Sequence, residues 1–161
     1  MKHRGRTVLA MDCVLASAER QRGRPLNSVV RQHERASMEQ REKCELCVRE
    51  SVLSENELAY VRPDSHSLSR GHVLVIPKRH VADFFEMTPQ EQLAVVELLR
   101  EARQLVHAEH SPDGYNIGVN IGQAAGQSRM HVHVHLIPRY LGDVANPKGG
   151  VRCVLAGNRA A

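Results

Sequence analysis

Aromatic side chains are scarce in this chain of 161 residues, which has no tryptophan, three tyrosines and two phenylalanines. At 3% aromatic content it offers no stacking platform for single-stranded nucleic acid, which presents rings to successive bases. Long apolar runs are missing as well, and none approaches the roughly 20 residues that a membrane-spanning helix needs. Cysteine is confined to four positions. Two of them form Cys44-x-x-Cys47, a pair suited to reducing conditions. The net charge of +4 is not spread evenly, because residues 1–37 hold eight Lys and Arg against three acids, out of 22 and 18 in the whole chain. The remainder is nearly neutral. The basicity therefore belongs to an N-terminal extension, whose composition reads as a solvated segment rather than a nucleic-acid-binding arm.

Length and composition suit one soluble domain of residues 38–161 behind a basic extension of residues 1–37. Lys2, Arg4 and Arg6 ahead of an apolar stretch superficially resemble a signal peptide, but Asp12 interrupts that stretch. The expected location is cytoplasmic.

The most informative stretch is His131-Val132-His133-Val134-His135-Leu136-Ile137. Its alternation has period two, so as a strand it would put three imidazoles on one face and Val132, Val134 and Leu136 on the other. Residues two apart in a strand lie roughly 6.6 Å apart, close enough for neighbouring rings to share one bound group. His-x-His on a strand can also supply two zinc ligands. Just upstream, Asn120 to Ser128 is a loop of small, amide and hydroxyl residues that lets backbone approach a ligand and offers hydrogen bonds to phosphate oxygens. Cys44-x-x-Cys47 has zinc-knuckle spacing, with a redox pair and two core cysteines as the other readings.

Elsewhere the pattern predicts strands over 57–62, 71–77 and 115–120. A helix should start at Thr88 as N-cap, with Pro89 in first position and Glu91 completing a capping box. Leu93, Val96, Leu99, Ala102, Leu105 and Val106 read as its buried stripe. Strands, a long helix, then two strands joined by a short loop favour an α+β antiparallel meander.

Gly126-Gln127-Ser128 followed by the alternating histidines resembles the histidine triad family of nucleotide hydrolases and transferases. The resemblance extends to Cys44-x-x-Cys47, to Gly71-His72-Val73-Leu74-Val75-Ile76-Pro77-Lys78-Arg79-His80, to Asn120, and to Pro138-Arg139-Tyr140 with Gly142-Asp143. It implies a five-stranded antiparallel sheet carrying helices, and a homodimer. It implies a structural zinc held by Cys44, Cys47, His80 and His131. It also implies a nucleotide substrate attacked at its α-phosphate by His133, with a covalent nucleotidyl-histidine intermediate. His135, Gln127 and Ser128 would complete the catalytic set. Asp64, Asn120 and Gly126 would join Gln127, Ser128, His133 and His135 in binding the nucleotide, with Asp64 gripping ribose and Arg139 reaching distal phosphates. The tail looks more like the dinucleoside polyphosphate hydrolase branch than the phosphoramidase branch. A phosphorylase or transferase using the same intermediate, a phosphoramidase, and a binding module without turnover are the alternatives.

Overall fold

The structure, a computed structural model, describes residues 44–154. The expected extension and its boundary at residue 37 lie outside them. Five strands form one antiparallel sheet: β1 (Ser54–Glu55), β2 (Ala59–Pro63), β3 (Val73–Pro77), β4 (Gly114–Val119) and β5 (Val134–Arg139). The helix α1 (Pro89–His110) joins β3 to β4. In space the order is β1-β2-β3-β5-β4, so the last strand inserts between β3 and β4. That insertion places the last strand inside the sheet, where its side chains have neighbours on both sides. Among the described residues no helix is long and apolar enough to cross a membrane.

The alternation of strand side chains divides the sheet into two environments. Ala59, Val61, Val73, Val75, Val134 and Leu136 face α1 and pack with Val95, Leu98, Ala102 and Val106. The other face gathers Tyr60, Leu74 and Ile76 around Leu46. Leu74 pairs with His135 across β3 and β5, which puts His135 on this second face, away from the helix.

Thr88 starts the helix as its sequence pattern predicts: its hydroxyl accepts from the Glu91 amide while the Glu91 carboxylate accepts from the Thr88 amide, with Pro89 at the first turn. The buried stripe differs from the expected one. It runs through Glu91, Ala94, Val95, Leu98, Ala102 and Val106, and Leu93, Val96 and Leu105 are exposed. At about 100° per residue, Leu93 and Val96 fall on the side of the helix away from the buried residues, and Leu105 lies at their margin. The polar capping residue Glu91 leads the buried side, because its carboxylate is held by Arg79 at 2.7 and 2.8 Å.

Strand β5 also begins later than the alternation suggests, at Val134 rather than at His131. Residues 131–133 follow another course, in which the Val132 amide donates to the Val81 carbonyl at 2.7 Å. The three histidines therefore do not share one strand face.

Candidate functional site

The bend before β5 sends His131 into one cluster and leaves His133 and His135 in another. The first cluster is built on the turn after Cys44, where the Cys47 amide donates to the Cys44 carbonyl at 2.9 Å. Tyr60 ties this turn to the sheet: its hydroxyl donates to the Leu46 carbonyl at 2.5 Å, and burial pushes the phenol up to about 12. His80 leaves the end of β3 and meets His131 edge-on, with ring centroids 4.9 Å apart.

Cys44, Cys47, His80 and His131 bring one ligand atom each to within 4.8 Å of one another, and the two thiols are not joined in a disulfide. The Sγ to Nδ1 separations are 3.5 Å for Cys44 to His131, 3.2 Å for Cys47 to His80 and 3.6 Å for Cys47 to His131. Tetrahedral zinc with bonds of roughly 2.3 Å to sulfur and 2.0 Å to nitrogen requires S to N separations of about 3.5 Å. The donor set therefore fits a closed metal site. His131 is prepared for it, since its Nε2 donates to the Pro77 carbonyl at 2.9 Å and Nδ1 keeps its lone pair. Burial pushes the His131 ring down to about 4, which keeps it neutral as a ligand must be.

The second cluster lines a cleft of about 630 Å³, within the usual size of a small-molecule site. Asp64, Asn120, Ser128, His133 and His135 all contribute to its wall. His133 Nδ1 donates to the His131 carbonyl at 2.8 Å. A carbonyl only accepts, so the neutral ring carries its proton on Nδ1 and Nε2 holds the lone pair. The His133 and His135 rings lie edge to face with centroids 5.1 Å apart.

Other sequence-predicted residues are placed differently. Gln127 is buried and braces the loop: its amide nitrogen donates to the Ala82 carbonyl at 2.7 Å and its oxygen accepts from the Gly122 amide at 2.8 Å. Gly126 caps a short 3-10 turn at φ 83°, and neither it nor Gln127 belongs to the cleft wall. Arg139 is engaged by both Asp143 oxygens, at 2.6 and 2.8 Å, and by Asn116 at 2.5 Å. It is not among the residues of the wall.

Six residues of the wall have no role in the sequence reading, and three of them, His72, Arg129 and Glu45, bear on the chemistry of the cleft. His72 is buried and its Nε2 lies 3.1 Å from His135 Nδ1. Arg129 is the one Lys or Arg among the wall residues described, and it forms an ion pair with Glu45, another wall residue. Glu45 sits between the two cysteines, so the metal turn and the phosphate-type loop meet at this pair. His72 has the same strand parity as Leu74, but its proximity to His135 depends on the pairing of β3 with β5, which a single sequence does not display.

Comparison with known proteins gives a consistent result. The HIT domain profile matches residues 46–142. A Mycobacterium tuberculosis protein named AP-4-A phosphorylase is 31% identical over 93 residues, which are 57% of this chain and 48% of that protein. A Schizosaccharomyces pombe protein named bis(5'-nucleosyl)-tetraphosphatase [asymmetrical] is 42% identical over 73 residues, 45% of this chain and 40% of that one. The chain thus spans less than half the length of these two relatives. Among solved structures, a Zn-bound histidine triad family protein from Mycobacterium smegmatis superposes with a TM-score of 0.60 at 29% identity, over 66% of this chain and 81% of that one.

Proposed function

The chain belongs to the HIT domain family, and from that premise we propose that it is a nucleotide hydrolase attacking the α-phosphate of a dinucleoside polyphosphate. One observation carries the reading: His133 presents an Nε2 lone pair in a cleft, its Nδ1 proton fixed on the His131 carbonyl. Nε2 forms a bond to the α-phosphorus while the bond from phosphorus to the bridging oxygen breaks, and the distal nucleoside phosphate leaves with that electron pair. Water then attacks the same phosphorus, the phosphorus to nitrogen bond breaks, and the water's proton goes to solvent. A nucleoside monophosphate departs and His133 is neutral again.

Ser128, Asn120 and His135 supply donors for the oxygens of the reacting phosphate. Arg129 offers the positive charge for phosphates beyond the first, exchanging Glu45 for the substrate. Gln127 acts by holding the loop in shape. Zinc on Cys44, Cys47, His80 and His131 would clamp the two ends of the site together with no position left for water. The exposed Leu93 and Val96, neighbours one turn apart on α1, support a homodimer.

The similarity to a protein named AP-4-A phosphorylase supports a second reading, in which inorganic phosphate replaces water in the second step. The test is product analysis with a symmetrical dinucleoside tetraphosphate, with and without added phosphate, for the wild-type chain and His133→Asn. Hydrolysis yields a nucleoside monophosphate and triphosphate, whereas phosphorolysis yields a diphosphate in place of the monophosphate. His133→Asn is expected to slow either reaction by about 1,000-fold or more. Near-native rates in that variant would overturn the mechanism.

A further inference from the structure

Arg129 meets a carboxylate before it meets any substrate. Glu45 lies on the wall of the same cleft and holds the guanidinium in an ion pair, so its oxygens occupy the place that the oxygens of a distal phosphate would take. Both residues stand on anchored backbone. Glu45 belongs to the turn between Cys44 and Cys47, where its neighbour Leu46 is buried and held through its carbonyl by the Tyr60 hydroxyl. Arg129 leaves a loop that is fixed on one side by the Gln127 side chain, at Gly122 and Ala82. On the other side the Val132 amide holds it to the Val81 carbonyl. The fold brings the two charges together, and only the side chains need move for them to part. Their exposures are 30% for Arg129 and 58% for Glu45. An ion pair so open to water contributes little to stability, and a clasp for the fold has no need to face the cleft.

We infer that Glu45 is a built-in substitute for a phosphate, which makes the cleft select ligands that carry phosphates beyond the first and returns to Arg129 to expel the product. The inference rests on the proposed hydrolase reading for the nature of the ligand, and deepens it by naming the residue that sets substrate length. Wall charge supports it. Among the wall residues described, the carboxylates are Glu45 and Asp64, and the guanidinium of Arg129 stands against both. A single phosphate entering such a cleft is repelled by the wall and gains nothing from Arg129 unless it displaces Glu45.

A polyphosphate behaves differently. With its α-phosphate against Ser128, Asn120 and His135, its next phosphates are held beside Arg129 at high effective concentration. A guanidinium binds phosphate oxygens in the same two-pronged manner as a carboxylate, so the exchange keeps its hydrogen bonds and Glu45 is displaced. Cleavage at the α-phosphorus reverses the advantage. The distal nucleoside phosphate is no longer tied to the held α-phosphate, whereas Glu45 is still tied to its turn and competes for Arg129 again. The other reading of the pair is a static clasp between the metal turn and the loop. It predicts that removing the Glu45 charge leaves phosphate binding unchanged or loosens it, and competition predicts the opposite sign.

The test is isothermal titration of the full chain carrying His133→Asn, which removes turnover, with adenosine mono- and triphosphate and no added divalent metal. Adding Glu45→Gln is expected to lower the Kd of the triphosphate about 3- to 10-fold and that of the monophosphate less than about twofold. With Arg129→Ala also present, Glu45→Gln should change the triphosphate Kd less than about twofold. An unchanged or weaker triphosphate affinity in Glu45→Gln would overturn the inference. An equal gain with and without Arg129 would overturn it too, because Glu45 would then act as one more negative charge and not through its partner. A second measurement uses the unaltered chain: the Arg129 Nε–H signal in ¹H–¹⁵N spectra should move on adding triphosphate and stay in place with monophosphate. A signal that ignores the triphosphate would equally contradict the competition. Failure of the hydrolase reading looks different. A chain that never cleaves dinucleoside tetraphosphates, yet shows the triphosphate gain and its dependence on Arg129, would lose the mechanism and keep the competition. A chain that cleaves them without that gain would do the reverse.

Discussion

His133 donates its Nδ1 proton to the backbone carbonyl of His131 at 2.8 Å. A residue of the candidate metal cluster thus orients the candidate nucleophile, with one residue between them. Removing the metal should release the 131–133 segment and slow turnover as well as lowering stability. Chelation of the wild-type chain is expected to lower Tm by about 10 °C or more and to raise the tautomer exchange of His133 in NMR spectra.

The division of the histidines between two clusters predicts a division among variants. Cys44→Ser, Cys47→Ser and His80→Ala should lose stoichiometric zinc, and His133→Asn and His135→Ala should retain it. Elemental analysis of purified proteins decides the matter. Zinc lost from His133→Asn would mean that the triad itself holds the metal.

Arg129 gives a prediction about substrate length. Arg129→Ala should raise KM for a dinucleoside tetraphosphate about 5- to 20-fold, the loss of one charge-assisted contact. A nucleotidyl ester with one phosphate should be affected less than about twofold. Equal losses on both substrates would assign Arg129 to the fold, where its pairing with Glu45 would be its role.

Gly71 has φ +77°, and a Cβ there would lie 2.3 Å from His110 Cδ2 and 3.0 Å from Val106 Cγ1. The residue occupies the turn that delivers His72, where only glycine is free of backbone strain. Gly71→Ala is expected to cost about 1–3 kcal/mol in urea unfolding. It should also disturb the His72 signals.

The Arg79 guanidinium beside Glu91, aided by the Thr88 amide, holds the Glu91 carboxyl at about 2 in the folded chain, well below its value of about 4.5 when unfolded. Stability from this pair is therefore present above about pH 4.5 and is lost as pH falls towards 2. Glu91→Gln should flatten that part of the Tm profile. At pH 7 it should cost about 1–2 kcal/mol, discounted for the half-exposed Arg79.

Period and spacing made some of this legible in the chain. Thr88, Pro89 and Glu91 announce the helix start because capping is local, and the observed box reproduces it. The short unbroken apolar run that ends at Pro77 likewise announces a strand that the structure contains. The helix stripe was ambiguous, because Leu93 and Val96 compete with Val95 and Leu98 and only the sheet decides which side packs. The bend at His131 has no local signal: the alternation continues through it, and the Val81 carbonyl that captures Val132 is 51 positions away in the chain. Asp64, His72 and His135 converge through strand pairing and a loop conformation, both of which are tertiary facts. Arg129 and Glu45 meet for the same reason.

The central claim is that His133 becomes covalently nucleotidylated. The most direct measurement is intact-protein mass spectrometry of the wild-type chain and His133→Asn, mixed with a dinucleoside tetraphosphate and quenched at short times, with peptide mapping of any adduct. The wild-type chain should gain the mass of one nucleotidyl group on the peptide containing His133, and the variant should gain none. Turnover of the wild-type chain with no adduct at any time point, or an adduct on His135, would contradict the account.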